Sequence, residues 1–206
     1  MLMPRRTLLS TAIALPALGL VEHARAAAHA GAAETGQRLV LSSFLDEQTY
    51  VVGAGGWRGF SDRVMGGISN ASLDQANVEG KSCIRLTGNV TRESNGGFIQ
   101  MALYFGRQNL EFDASEYAGI ELLVYGNNED YNVHVRTADC GWYDQSYRTT
   151  FFAKPEWQRI QIPWSGFTGN GLNVPLDTQR LQRIAILGWM REFEADVSLA
   201  EIALYS

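Results

Sequence analysis

From Leu39 onward the chain is a succession of short apolar or alternating runs, each closed off by turn-forming residues. The clearest are Ser82–Gly88, Phe98–Phe105, Gly119–Tyr125, Tyr131–Thr137, Tyr147–Phe152, Trp157–Pro163, Arg183–Trp189 and Phe193–Tyr205. The last carries a break near Leu199 and Ala200. Gly126-Asn127-Asn128 and Gly169-Asn170-Gly171 are strong breakers between runs. Only Asp177–Gln182 reads as helical, and it is short. Eight or more strands with almost no helix predict an all-β, antiparallel sandwich or barrel. The 206 residues suffice for one sizeable core. We therefore expect a single β-sandwich domain over residues 38–206, preceded by a small, polar, flexible tail at 27–37.

Residues 1–26 read as an export signal. Arg5-Arg6 precedes the apolar run from Leu8 to Val21, and Ala24-Arg25-Ala26 offers a small-x-small cleavage site. The run is shorter than the roughly 20 residues needed to cross a bilayer, so no membrane span is expected in the mature chain. Arg5-Arg6-Thr7-Leu8-Leu9 resembles a twin-arginine signal, which implies a periplasmic protein. A mitochondrial presequence is the minor alternative, because the stretch bears arginines and lacks acids before Glu22.

The whole chain has a formal net charge of −5. Without residues 1–26 it keeps 14 basic and 21 acidic residues, about −7. Such a surface repels a phosphate backbone and excludes a nucleic-acid partner. Cys83 and Cys140 suit either one disulfide or two inert thiols, since spacing alone does not fix their separation. No Cys/His cluster has zinc-ligand spacing, which excludes a structural zinc site; no cofactor is expected, and a calcium ion on loop oxygens stays open although no ligand loop for it is visible.

Two glycine pairs stand out. Ser61-Asp62-Arg63-Val64-Met65-Gly66-Gly67-Ile68-Ser69 packs charges, a flexible Met, two glycines and a hydroxyl into one short block. Gly96-Gly97 directly precedes the strand at Phe98. Either pair makes a tight turn, or it lets another chain approach closely.

This block resembles the Asp-x-Val-Met-Gly-Gly-x-Ser segment of the complex I intermediate-associated protein 30 family. The likeness continues, in the family's order, through Gly96-Gly97-Phe98, through Asp113 to Gly126, through Tyr131 to Arg136, and through Trp157 to Phe167. It spans roughly residues 44–206. The resemblance implies a jelly roll of the galactose-binding-like type. It also implies a non-enzymatic, chaperone-like assembly factor that binds a protein partner, a respiratory or other membrane-complex subunit. Gln100 and Ala102 depart from the family pattern, where Ser and Arg are expected. In this reading Asp62 and Arg63 orient the loop, Met65 is exposed, Gly66 and Gly67 admit a partner's backbone, and Ser69 supplies a hydrogen bond.

Strand parity marks a second candidate surface. Tyr131, Val133 and Val135 share a core face, which leaves Asn132, His134 and Arg136 on the other. Likewise Ile99, Met101, Leu103 and Phe105 oppose Gln100, Ala102 and Tyr104. If the two strands are neighbours, one sheet face gathers Gln100, Tyr104, Asn132, His134 and Arg136, with Trp142 and Tyr143 on the adjoining loop. Donors beside flat aromatics suit a carbohydrate or a polar peptide, so a carbohydrate-binding module is the alternative reading. An ordinary solvated face is the plainer one. Catalysis has little support: His134 is the only histidine beyond the leader and tail, and no Gly-x-Ser-x-Gly elbow presents a serine.

Overall fold

Apolar residues recur at alternate positions of nearly every strand, and two sheets close over them. The structure, a computed structural model, describes residues 36–45, 50–51, 55–106 and 110–206. The expectations for residues 1–26, and for 27–37 up to residue 35, lie outside the described residues.

Thirteen strands are found among the described residues. They are β1 (Arg38–Ser43), β2 (Tyr50–Val51), β3 (Gly56–Ser61), β4 (Ser72–Val78), β5 (Lys81–Val90), β6 (Phe98–Tyr104) and β7 (Gly119–Tyr125). Then follow β8 (Glu129–Thr137), β9 (Ser146–Ala153), β10 (Gln158–Pro163), β11 (Thr168–Asn170), β12 (Leu181–Trp189) and β13 (Phe193–Tyr205). One sheet runs β10-β7-β13-β1-β2, with β5 also on β13 and β4 on β5; the other runs β11-β9-β8-β12-β6-β3. Every pairing is antiparallel. The expected all-β jelly-roll sandwich is the fold observed.

The core lies between the sheets. The six-stranded sheet contributes Ile99, Met101, Leu103, Tyr131, Val133, Val135, Ile184 and Ile186. The other contributes Ile84, Leu86, Ile120, Leu122, Val124, Val197, Leu199, Ile202 and Leu204. In β13 the inward positions switch from odd to even numbers. A register shift between Leu199 and Glu201 inserts Ala200 as an extra residue, and this restores apolar side chains to the core. The break anticipated near Leu199 and Ala200 is this bulge.

Asp177–Gln182 does not form the expected helix. Only the 3-10 turn Thr178–Arg180 forms, capped by the Asp177 side chain, before Leu181 enters β12. Cys83 and Cys140 are both free and buried. They belong to different apolar clusters, Cys83 with Leu123 and Ala200, Cys140 with the main core. No helix among the described residues is long and apolar enough to cross a membrane.

Candidate functional site

The outer face of the six-stranded sheet is built in rows. Register places Arg148 (β9), His134 (β8), Ala185 (β12), Ala102 (β6) and Arg58 (β3) side by side, with Arg136, Arg183 and Tyr104 in the next row. Alanines at the centre leave space for long neighbours to fold over them. Ala102, Ala185 and Leu187 form a small buried cluster under Phe60, Phe98, Tyr104 and Trp189. Above it lies a cleft of about 1090 Å³.

Sequence parity put Gln100, Tyr104, His134 and Arg136 on this face, and all four line the cleft. The strands carrying them are not neighbours, however. β12 lies between them and adds Arg183, Leu187 and Trp189, while β9 adds Arg148. Alternation in Arg183–Trp189, with Ile184 and Ile186 inward, was the available signal for the β12 contribution. Asn132 shares the face but does not line the cleft, and neither does Trp142.

Cations cover the aromatic rings. The Arg148 guanidinium lies 4.7 Å from the Trp189 ring centre. Arg58 and Arg183 lie 4.7 and 5.6 Å from that of Tyr104. Arg183 also donates to the Tyr104 hydroxyl at 3.2 Å. His134 meets Trp189 edge-on at 4.8 Å and is only 4% exposed. Burial first, then the Arg148 and Arg183 charges, push its pKa from 6.5 down to about 3, so the ring is neutral. Among the described residues two buried nitrogens, Nε2 of His134 and Nε of Arg183, have no hydrogen-bond partner. Arg136 has a structural task as well: it donates to the carbonyls of Cys140, Trp142, Tyr143 and Gln145 and so straps down the loop after β8. Trp142 is left 71% exposed and Tyr143 78%.

The Ser61–Ser69 block borders this cleft, but most of its polar groups face inward. Ser61 caps the 3-10 turn Asp62–Met65, and Gly66 ends it in the left-handed region at φ 96°. The Asp62 carboxylate is fully buried. It accepts from the Ser69 amide (2.9 Å), the Ser69 hydroxyl, and the amides of Gly97 (2.6 Å) and Phe98 (3.2 Å). Burial raises its pKa, but the hydrogen bonds from Ser69, Gly97 and Phe98 together outweigh that and hold it below the ordinary 3.8.

The two glycine pairs thus meet at one carboxylate. A Cβ on Gly96 would stand 2.5 Å from Asp62 Oδ2, and one on Gly67 would come closer still to the Asp62 side chain. Gly67 and Gly97 are buried, as is Ser69, whose hydroxyl also accepts from the Thr91 amide at 3.0 Å. These positions correct the expectation that Gly67 admits a partner's backbone and Ser69 reaches out to it: both are committed to Asp62. Arg63 is exposed and holds the Ser69 carbonyl (3.1 Å) and the Asn70 side chain (2.6 Å). Apart from Arg63, the side chains the block presents outward are apolar. Val64 is 71% exposed and Met65 48%, and both line the cleft, as does Gly96. Among the described residues no group of three or more His, Cys, Asp or Glu is placed to hold a metal ion.

Fold and site together define an antiparallel jelly-roll sandwich with a cleft on the outer face of one sheet. A sequence model of the complex I intermediate-associated protein 30 family matches residues 46–197, and the chain belongs to that family. No curated protein matches it in sequence. Among solved structures it is similar to the family 11 carbohydrate-binding module from Clostridium thermocellum, determined with a β-1,3-1,4-mixed-linked tetrasaccharide. That likeness has a TM-score of 0.62 at 13% identity and covers 82% of this chain and 95% of the module. A family 30 carbohydrate-binding module from a cellulosomal cellulase of Clostridium thermocellum gives a TM-score of 0.55 at 15% identity, covering 82% of this chain and 98% of that one.

Proposed function

We propose that this protein is a non-enzymatic assembly-factor domain that holds a segment of a partner protein in the cleft of the six-stranded sheet. The observation that carries this reading is the apolar rim: Val64 and Met65 stand exposed at the mouth of a cleft with apolar and aromatic walls. Exposed methionines adapt to a partner's side chains, a common feature of protein-binding surfaces. The family's name points to intermediates of respiratory complex I, which supports a membrane-complex subunit as the partner. The twin-arginine-like leader supports action in the periplasm. A neutral, buried His134 is a poor general base, which supports binding rather than turnover.

A carbohydrate-binding role is the second reading, favoured by the exposed rings of Trp142 and Tyr143 beside the cleft. Against it, Tyr104 and Trp189 already carry guanidinium groups and are not free platforms for a sugar ring. The test is capture from periplasmic and membrane extracts by wild type and by the double variant Val64→Ser/Met65→Ser, with a glycan array alongside. We expect a discrete partner lost by the variant. A specific neutral glycan without any protein partner would overturn the reading.

A further inference from the structure

The cleft contradicts the charge of the molecule around it. The chain is acidic, with a formal net charge of −5, yet Arg136, Arg148 and Arg183 line the cleft with Asp144 as the one carboxylate among its described lining residues. Elsewhere five arginines pair with acids: Arg38 and Arg159 with Glu121 and Glu201, Arg85 with Asp196, Arg180 with Asp139 and Asp177, Arg191 with Glu129. The three cleft arginines form no salt bridge among the described residues. Arg136 donates to backbone carbonyls, Arg148 to the Asp144 carbonyl and the Ser146 hydroxyl, and Arg183 to the Tyr104 hydroxyl.

The unpartnered nitrogens lie in the same place. Burying a polar N–H without an acceptor is unfavourable, and it is more so for a charged guanidinium. Among the described residues Nε of Arg183 stands in that condition, and Nε2 of the neutral His134 likewise has no hydrogen-bond partner; they lie on adjacent strands, both on lining residues. Uncompensated positive charge with free nitrogens favours an anionic acceptor over a neutral hydroxyl. Beside them, Phe60, Phe98, Leu187 and Trp189 make an apolar wall.

Building on the protein-binding reading above, we propose that the cleft floor is a carboxylate site, and that its occupant is an acidic peptide segment of the partner. An Asp or Glu side chain of that segment accepts from Arg183 and lies against His134, while flanking apolar residues pack on Phe98, Leu187 and Trp189. Charge complementarity selects the acid, and the wall and methionine rim select its neighbours.

The test uses an array of hexapeptides in matched pairs, Asp against Asn and Glu against Gln at one position between apolar residues. Tetragalacturonate and a mixed-linked glucan tetrasaccharide form separate arms. We expect acidic peptides to bind about tenfold or more tightly than their amide partners, with the preference weakened by salt. Arg183→Gln should erase the preference in a protein of unchanged melting temperature, and Arg148→Gln provides a second variant should the first fold poorly. Equal binding of acid and amide peptides overturns the carboxylate site and leaves protein binding standing. Binding of tetragalacturonate with no peptide retained overturns the acidic-peptide occupant and the protein-binding reading together.

Discussion

Two buried polar regions lie side by side on this sandwich and treat their charges in opposite ways. The Asp62 carboxylate is closed in by four donors from Ser69, Gly97 and Phe98. The cleft floor, bordered by the same loop, leaves His134 Nε2 and Arg183 Nε without hydrogen-bond partners among the described residues. A saturated buried charge fixes a structure, because every alternative arrangement loses hydrogen bonds. An unsaturated one leaves a preference unfilled, and a ligand can fill it. The chain's most distinctive motif is therefore mainly scaffold, and the less conspicuous outer face of the neighbouring sheet is the candidate site.

The strongest way to break the comparison is to remove the saturated charge. Asp62→Ala strands the amides of Ser69, Gly97 and Phe98 in the interior. We expect a loss of about 3–5 kcal/mol, measured by denaturant unfolding with an unchanged m-value. Gly67→Val comes next. Its side chain must displace the Asp62 carboxyl group, and a cost of about 1–3 kcal/mol is expected in the same assay. A Gly67→Val protein with wild-type stability would show that the glycine does not serve Asp62.

Parity on β6 and β8 was enough to put Gln100, Tyr104, His134 and Arg136 on one face. The order of strands was not legible, because pairing between distant segments leaves no local trace. Hence β12, with Arg183 and Trp189, entered the site unannounced. Asp62 was legible as unusual but not as buried. Two of its donors, the Gly97 and Phe98 amides, lie 35 and 36 residues away, and only the fold brings them near. Two adjacent glycines read equally well as room for a partner or room for a carboxylate.

The two regions also separate on the pH axis. His134 has its pKa depressed to about 3, so between that value and 6.5 the unfolded chain binds a proton that the folded chain refuses. Its effect on stability is absent above pH 6.5 and grows as pH falls, at up to about 1.4 kcal/mol per unit. Asp62 has linkage of the same sign in a lower pH window. Its depressed pKa stabilises the fold above the ordinary 3.8, and that contribution is lost as pH falls from 3.8 through its folded value. Between pH 6.5 and 4.5 the histidine should dominate. We expect His134→Leu to flatten the wild-type decline there, and an unchanged slope would rule out a buried neutral histidine.

The smallest effect on stability should come from the rim. Val64 and Met65 donate no side-chain hydrogen bond and stand largely in solvent, so Val64→Ser/Met65→Ser should shift unfolding by no more than about 0.5 kcal/mol. The backbone beneath them is held by the Ser61 cap and by Asp62, neither of which the substitutions touch. Partner capture should nevertheless fall, because the exchange removes the apolar surface that faces the cleft. The contrast with Asp62→Ala is then complete: one substitution lowers stability and reaches binding only through unfolding, the other leaves stability alone and reaches binding directly. Should the double serine variant unfold as easily as Asp62→Ala, the rim would belong to the scaffold, and the division between the two regions would fail.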